Sequence, residues 1–352
     1  MINKNDVLNV LSKVIDQNSN KNIVELGLIS SILVDNHNVT CILNLLNEHH
    51  IIQKDVIEKQ CKNAINLIPN IKCVKVIITS TRSSHKSRDG ETDKTDNKIS
   101  IQNVKNVILI SSGKGGVGKS TVAMNIALAL VRKGYKTALV DLDIYGPSIP
   151  HMLGVIDGTN PEVDDCNRML PITRYGLKSM SIGYLTSKKN AAIWRGPMIT
   201  KAIYSLILNT VWGELDYLII DTPPGTGDVH ITLTSKFEIT GIIIVSTPQE
   251  LAIIDAVKMC DMMHKMKVRV IGVVENMSYF IDTNSGNKTY IFGKHGVRYM
   301  ADTFNINFLG EIPIYPQICD TAESGNPLML DSEICKIYNS IVDSMLCIVD
   351  SV

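Results

Sequence analysis

The strongest constraint on the fold is a glycine-rich segment that joins a short apolar run to a second, longer one. Residues 107–110 are apolar, residues 111–121 read Ser-Ser-Gly-Lys-Gly-Gly-Val-Gly-Lys-Ser-Thr, and residues 122–131 form an apolar helical stretch. The glycines let the backbone curl with its N–H groups pointing inward, and the start of the helix adds positive potential. A strand that enters a helix through such a turn predicts an anion-binding loop in an α/β fold.

Residues 113–120 fit the Walker A pattern of a nucleoside triphosphate site. Lys119 would supply a cation to the β- and γ-phosphates, Ser120 would ligate Mg²⁺, and Thr121 would bond the α-phosphate. The predicted nucleotide-binding residues of this segment are Gly113, Lys114, Gly115, Gly116, Val117, Gly118, Lys119, Ser120 and Thr121. The expected cofactors are therefore ATP and Mg²⁺.

A dinucleotide-binding turn is the alternative interpretation of the same glycines. Three of them have the spacing of that fingerprint, and Asp141 and Asp143 lie near the expected position of its ribose-binding acid. Two features favour the triphosphate site instead. Lys119 and Ser120 have no purpose in a pyrophosphate turn, and an apolar run ends in Asp221, a Walker B candidate for binding Mg²⁺.

Five apolar runs alternate with helical stretches in the large C-terminal part of the chain, at 107–111, 138–141, 217–221, 241–246 and 269–274. Strands that are apolar on both faces, with helices between them, indicate a parallel sheet covered on both sides. The predicted fold class is a doubly wound α/β P-loop NTPase with a small N-terminal α+β domain.

The N-terminal part has its own pattern and is separated by a polar segment. Residues 83–98 contain no apolar side chain, which predicts a flexible linker over 83–100 between a domain at 1–82 and a domain at 101–352. Apolar spacing within 1–82 predicts the order α-β-β-α-β, with strands at 29–34, 39–46 and 74–79, helices near 7–15 and 52–68, and a hairpin turn at 35–38.

Charge and composition limit the partners. The 35 basic residues equal the 35 acidic ones, which gives no support for binding nucleic acid or an anionic membrane. No targeting sequence or membrane-spanning run is apparent, so a cytoplasmic location is expected. The eight cysteines include no Cys-x-x-Cys pair, and most are expected to be buried apolar residues.

Lys114, inside the loop, carries the first family resemblance. With Lys119 it forms Lys-Gly-Gly-Val-Gly-Lys-Ser, which resembles the deviant Walker A ATPases, the class that includes MinD, ParA and the nitrogenase iron protein. The resemblance implies an ATP-sandwiched homodimer in which Lys114 acts on the partner's nucleotide. It also implies that Asp143 positions the attacking water and that residues 221–228 form a switch whose Gly225 amide senses the γ-phosphate. Asn276 would bond the adenine.

The narrower resemblance rests on longer motifs. They read Asp-Ile-Tyr-Gly-Pro-Ser-Ile-Pro at 143–150, Trp-Arg-Gly-Pro-Met at 194–198, Asp-Thr-Pro-Pro-Gly-Thr-Gly-Asp at 221–228, Glu-Asn-Met-Ser-Tyr-Phe at 275–280 and Gly-Glu-Ile-Pro at 310–313. Together they resemble the Mrp/ApbC iron-sulfur cluster carrier family. Residues 1–82 resemble the small iron-sulfur assembly domain of some members. The resemblance implies iron-sulfur assembly proteins and apoprotein clients as partners.

The chain departs from this family at its cluster ligands. Where the family often carries Cys-x-x-Cys, residues 282–285 read Asp-Thr-Asn-Ser, and residues 47–50 replace the cysteine-bearing loop of the N-terminal domain with Asn-Glu-His-His. Oxygen donors match an iron-sulfur cluster poorly, because such clusters select thiolate. Cys319 is the most plausible substitute, since neighbouring Pro316 and Asp320 predict an exposed loop.

Three functions stay open at the level of sequence. The first is an ATPase that carries or transfers an iron-sulfur cluster, and the second is a nucleotide-dependent scaffold that no longer holds metal. The third is a MinD- or ParA-like positioning ATPase, for which the C-terminal tail is informative. Its apolar stripe from Ile334 to Ile348 lacks the Lys/Arg-rich face of a membrane helix, which predicts a core helix instead.

Overall fold

The computed structural model of the chain describes residues 3–15, 21–35, 37–45, 54–69, 71–80, 98–185, 196–282, 285–327 and 332–351. The chain divides into two compact units, Met1–Ser100 with Val163–Arg168 and Ile101–Glu162 with Met169–Val352. Nearly all of the predicted linker, together with residues 47–50, 194–195 and 283–284 of the motifs above, lies outside the described residues.

The first unit is a small α+β structure. Its elements are α1 (Lys4–Leu11), β1 (Ile29–Asp35), β2 (Asn38–Leu45), α2 (Lys54–Asn66) and β3 (Cys73–Ser80). Strands β1 and β2 form an antiparallel hairpin closed by the pair Asp35 and Asn38, while β2 and β3 are parallel. The predicted order α-β-β-α-β is confirmed, and Val39, Cys41 and Leu43 of β2 lie in the same apolar core as residues of α1 and α2.

The second unit is built on an eight-stranded sheet. Its strands are β4 (Val104–Ser111), β5 (Thr137–Asp141), β6 (Ile172–Arg174), β7 (Leu177–Ser181), β8 (Leu215–Asp221), β9 (Gly241–Ser246), β10 (Val270–Glu275) and β13 (Phe308–Glu311), and β11 (Phe280–Ile281) and β12 (Lys288–Thr289) form a separate hairpin. The order across the sheet is β13-β10-β9-β4-β8-β5-β7-β6, and all pairs are parallel except β6 with β7.

This topology is doubly wound, as the sequence predicted. The chain starts at β4 in the middle of the sheet, moves to β5 and β7 on one side, returns through β8 and continues to β9, β10 and β13 on the other. Parallel strands all end at one edge, so the loops after β4, β5 and β8 lie side by side there. Asp141 and Asp221 are register partners at this edge.

Helices connect the strands of the second unit. They are α3 (Lys119–Arg132), α4 (Ile149–Met152), α5 (Gly196–Leu208), α6 (Asp228–Lys236), α7 (Glu250–Lys265), α8 (Gly296–Phe304), α9 (Pro316–Ser324) and α10 (Ser332–Val349), with a 3-10 turn at Ile182–Tyr184. Helix α3 is apolar nearly all round, and residues 122–130 are buried, which places it in the core.

The C-terminal helix α10 packs into the same core as α3. Ile334, Tyr338, Ile341, Val342 and Met345 are all buried there. The prediction of a core helix is therefore confirmed. Within the described residues, none of the helices combines the length and the apolar character that crossing a membrane would require.

Candidate nucleotide-binding site

The phosphate loop connects β4 to α3 at the carboxyl edge of the sheet. Gly116 and Gly118 have φ angles of +84° and +81°, a left-handed conformation that glycine adopts without the strain a Cβ would cause. Helix α3 begins directly after Gly118, and no side chain caps its first turn. Its first amides are therefore available to an anion, as are the other amides of the curled loop.

Lys119 points toward two acidic side chains that the sequence singled out separately. Its Nζ lies 2.6 Å from Asp221 Oδ1, 3.8 Å from Asp143 Oδ2 and 3.2 Å from Ser120 Oγ. Lys119 is only 6% exposed. The structure thus brings four predicted site residues into one cluster, although they come from three different strand ends.

Whether the cluster suits Mg²⁺ depends on the second carboxylate oxygen of Asp221, Oδ2, which does not bond to Lys119. Asp221 is completely buried, and its Oδ2 has no hydrogen-bond partner among the described residues. Burial raises the pKa of this carboxyl, and the adjacent Lys119 opposes that rise. A buried carboxylate oxygen without a partner, beside the Ser120 hydroxyl, offers the hard oxygen donors that Mg²⁺ prefers. The residues present fit the ion.

Asp141 differs from Asp221 in that both of its oxygens are used. Its oxygens accept hydrogen bonds from the Asp143 and Ile149 amides at 3.1 and 3.2 Å and from Ser181 Oγ at 3.0 Å. Burial, followed by the charge of nearby Asp221, raises the pKa of Asp141 to about 7. These bonds hold the loop that carries Asp143, which gives Asp141 a structural role.

The loop after β8 contacts the phosphate loop through its backbone. The Gly225 N–H donates to the Ser112 carbonyl oxygen at 2.8 Å. Asp228 stands at the first position of α6, where a carboxylate stabilises the positive end of the helix.

Asn276 is held against the phosphate loop from the end of β10. Its Nδ2 donates to the Val117 carbonyl oxygen at 2.8 Å, and a Cβ built on Gly118 would lie 2.3 Å from the same nitrogen. Lys114, in contrast, is exposed, and Thr121 is partly buried in the first turn of α3. The predicted residues thus surround one loop.

Sequence inspection did not identify His230, which the structure places directly behind the site. The side chain is fully buried, and its Nε2 lies 2.6 Å from Ser111 Oγ and 3.0 Å from Thr222 Oγ1. Burial, and next the charge of Lys119, lowers the pKa of His230 to about 4. Its position two residues after Asp228 was the only signal in the sequence.

We expect the chain to lose stability as the pH falls from about 6.5 to about 4. The pKa of His230 is about 4 in the folded chain, against 6.5 as its ordinary value. Between these values the unfolded chain binds more protons, so the free energy of unfolding decreases by roughly 3 kcal/mol on acidification. Urea unfolding of wild type and of His230→Gln from pH 4 to 7 measures this. Equal pH dependence in both proteins would contradict the assignment.

The hairpin at which the sequence resemblance implied cluster-binding cysteines holds oxygen donors in this chain. Asp282 accepts a hydrogen bond from Ser285 Oγ at 2.7 Å, and the Gly286 N–H donates to the Asp282 carbonyl oxygen at 2.8 Å. These side chains satisfy each other within the turn and do not fit an iron-sulfur cluster. In the described parts of the chain, no group of three or more His, Cys, Asp or Glu side chains could hold a metal ion.

The cysteines are more exposed than expected. Only Cys41 and Cys61 are buried, so the expectation of mostly buried thiols is wrong. Cys319 is exposed as predicted, but it lies in helix α9 and not in a loop. Pro316 occupies the first position of that helix, where its missing N–H costs no hydrogen bond.

Fold and site together define a class of protein. A mostly parallel sheet whose central strand enters a helix through a glycine-rich loop, with a buried lysine of that loop against an aspartate at the end of the neighbouring strand, is typical of a P-loop NTPase. The dinucleotide-binding alternative does not account for the Lys119–Asp221 pair.

Comparison with known proteins narrows the class to a family. The model of the NUBPL iron-transfer P-loop NTPase family matches residues 103–346, and a model described as iron-sulfur cluster assembly protein matches residues 4–78. The chain belongs to the NUBPL iron-transfer P-loop NTPase family. This confirms the resemblance to iron-sulfur cluster carriers drawn from the sequence motifs.

Individual relatives agree with this assignment. The chain is 45% identical over 255 residues to an iron-sulfur cluster carrier protein of Aquifex aeolicus, which covers 71% of this chain and 70% of the relative. It is 44% identical over 247 residues to the iron-sulfur cluster transfer protein NUBPL of Dictyostelium discoideum, with 69% and 76% covered. A nucleotide-binding protein of Archaeoglobus fulgidus, solved with ADP, superposes with a TM-score of 0.59 at 36% identity, covering 68% and 93%.

Proposed function

We propose that this protein is an ATP-hydrolysing carrier that delivers iron-sulfur clusters to apoproteins as a nucleotide-gated homodimer. The observation that carries the proposal is the contact between Lys119 and buried Asp221, whose second oxygen is free in the described structure. Relatives named as cluster carriers, and a similar nucleotide-binding protein solved with ADP, support it. The family's cluster is cargo in this function.

The loop residues have separable roles in this proposal. Phosphate oxygens would draw Lys119 away from Asp221, since the loop amides and the lysine together match a triphosphate. Ser120 and Asp221 would hold Mg²⁺, which neutralises charge on the phosphates. Asp143 would orient the attacking water, because its carboxylate lies beside Lys119 and its backbone is fixed by Asp141.

Dimer formation would complete the site. Lys114 is exposed on the phosphate loop, in contrast to buried Lys119, so it is free to reach the nucleotide of a second protomer. Nucleotide state would then favour the closed or the open dimer, and cluster release would follow that change. Asn276 would bond the adenine with its side-chain oxygen while its Nδ2 stays on Val117.

The N-terminal unit would contact iron-sulfur assembly proteins, in line with the family model that matches 4–78. We retain the division into domains at 1–82 and 101–352 with a linker at 83–100, and a cytoplasmic location, as parts of the proposal. The matches to 4–78 and 103–346 are consistent with these boundaries.

The function is tested by anaerobic reconstitution of the wild-type chain with iron and sulfide, followed by transfer to an apoprotein with and without Mg-ATP. We expect bound iron and sulfide, an absorbance band of the cluster, and faster transfer with ATP than with ADP. Nucleotide binding without any bound iron would favour the scaffold alternative, for which the oxygen donors Asp282 and Ser285 are the supporting observation.

Cys319 is the thiol that we propose as a cluster ligand, because it is exposed and one residue per subunit gives two thiolates in a symmetric dimer. The Cys319→Ser variant is expected to lose most of its iron and sulfide after reconstitution while ATP affinity stays unchanged. Cys347→Ser is the matched control, since Cys347 is also an exposed helical cysteine. Unchanged iron content in Cys319→Ser would rule this ligand out.

A further inference from the structure

A buried histidine contacts both segments that frame the candidate nucleotide site. His230 lies in the first turn of α6, and its Nε2 is 2.6 Å from Ser111 Oγ and 3.0 Å from Thr222 Oγ1. Ser111 is the last residue of β4, directly before the phosphate loop, and Thr222 follows Asp221. One imidazole nitrogen therefore links the start of α6, the last residue of β4 and Thr222.

The Thr222 side chain contacts both His230 and β4. Its Oγ1 donates to the Ile110 carbonyl oxygen at 3.0 Å and lies 3.0 Å from His230 Nε2. The other ring nitrogen, Nδ1, has no hydrogen-bond partner in the part of the chain that the structure describes.

Packing alone does not explain a histidine at this position. An apolar side chain of similar size would fill the space without leaving a buried nitrogen unpaired, which is unfavourable. The polar contacts of the ring go to the Ser111 and Thr222 hydroxyls. Unlike an apolar side chain, the imidazole therefore connects the Ser111 and Thr222 hydroxyls through one nitrogen and attaches both of them to α6.

We propose that His230 is a positioning residue that closes the base of the loop 222–227 and holds it against the end of β4. Thr222 lies at one end of this loop and α6 begins at the other, so a contact from His230 to Thr222 joins the two ends directly. The contact to Ser111 then fixes both ends relative to the phosphate loop. This proposal deepens the ATPase function proposed above and rests on it.

The attachment leaves only the tip of the loop to respond to nucleotide. The Gly225 N–H donates to Ser112 O in this structure, so it must leave that oxygen before it can bond a γ-phosphate. With the base held by His230, Gly225 exchanges one acceptor for another while Asp221, next to Thr222, keeps its place. Without the ring, the loop and Asp221 move together, and hydrolysis suffers more than binding.

Two variants of similar polarity separate positioning from packing. The terminal amide group of His230→Gln reaches the location of the ring Nε2, whereas the shorter side chain of His230→Asn does not. For Asn we expect kcat for ATP to fall at least about tenfold with affinity changed less than about threefold, and for Gln a kcat within about threefold of wild type. Hydrogen exchange of residues 222–230 with Mg-AMPPNP should show protection in wild type and Gln but not in Asn.

Equal exchange and equal kcat in wild type, Gln and Asn would overturn the proposal, as would a lower melting temperature of Asn with kcat unchanged. If Asn does not fold, Thr222→Val removes the hydroxyl with little change of shape and must give the same losses. Wild type that binds AMPPNP but hydrolyses no ATP would contradict the proposed hydrolysis alone, and the exchange comparison would still decide the role of His230. Absence of AMPPNP binding to wild type would overturn both proposals.

Discussion

Replacing Lys119 with alanine is expected to lower the affinity for Mg-ATP at least about 100-fold, equivalent to ~2.7 kcal/mol. The lysine is the buried cation of the site, and charge-assisted bonds to phosphate are among the strongest in proteins. Its removal also leaves the Asp221 carboxylate without its cation, 2.6 Å from the former position of Nζ. Isothermal titration with Mg-ATP gives the affinity directly, and wild-type affinity in this variant would contradict the site.

Lys114→Ala is the matched control, because it removes a lysine of the same loop that is exposed. We expect its ATP affinity to stay within about threefold of wild type while kcat falls at least about tenfold, since the proposed role of Lys114 appears only in the closed dimer. Light scattering with Mg-AMPPNP should show a weakened dimer. Equal losses of affinity in both variants would mean that the two lysines have the same role.

Loss of folding must be separated from loss of binding in Lys119→Ala. Breaking a buried ion pair by removing one partner typically costs ~3–5 kcal/mol of stability, because the other charge stays buried. Asp221 is completely buried, so the variant Lys119→Ala/Asp221→Asn, which also removes the negative charge, should unfold at a higher temperature than the single variant. Its ATP affinity should stay low, which assigns the binding loss to the site.

The second large effect is expected for Gly113→Ala, at the start of the phosphate loop. A Cβ at this position would lie 2.2 Å from the backbone carbon of Asp255 and 2.7 Å from the Ala256 nitrogen in α7. Backbone atoms at such distances must move, so helix α7 would be displaced from the loop. We expect a loss of ~3 kcal/mol or more in the free energy of unfolding, measured by urea denaturation.

Gly115→Ala is the control for this prediction. The nearest atom to a Cβ at Gly115 is Cγ of Pro224 at 3.8 Å, which is an ordinary contact. The same methyl group, two residues away, should therefore change the free energy of unfolding by less than ~1 kcal/mol. If Gly113→Ala and Gly115→Ala were equally stable, the close approach of α7 to the loop would be refuted.

Most of the long strands of the second unit could be predicted from apolar runs in the sequence. Runs such as 217–220 and 242–245 are apolar at every position because both faces of a central parallel strand are buried, and that makes them visible in the sequence. The short strands β6 and β7 and the four-residue β13 were missed. Only one position of β13 is fully buried, so its sequence lacks the pattern of a strand, and its pairing with β10 depends on contacts distant along the chain.

For the site, the sequence was informative where chemistry is local. The turn from Gly113 to Ser120 contains its own glycines, lysine and hydroxyl, so its spacing alone predicted an anion-binding loop. The burial of cysteines was predicted poorly, because a thiol is small enough to occupy either a core or a surface position, and only packing decides which. The sequence predicted a loop around Cys319 because of Pro316, but proline is also common at the first position of a helix, as it is here.

By itself, the sequence determined the phosphate loop, the doubly wound fold and the family, because each depends on residues close together along the chain. Only the tertiary structure decided that Lys119 contacts Asp221, that one oxygen of Asp221 is free, and that His230 joins Ser111 to Thr222. The residues in the Lys119–Asp221 and Ser111–His230 contacts are about 100 positions apart in the sequence. They meet because the parallel sheet brings the ends of its strands to one edge, and no local pattern in the sequence reveals which side chains will be in contact there.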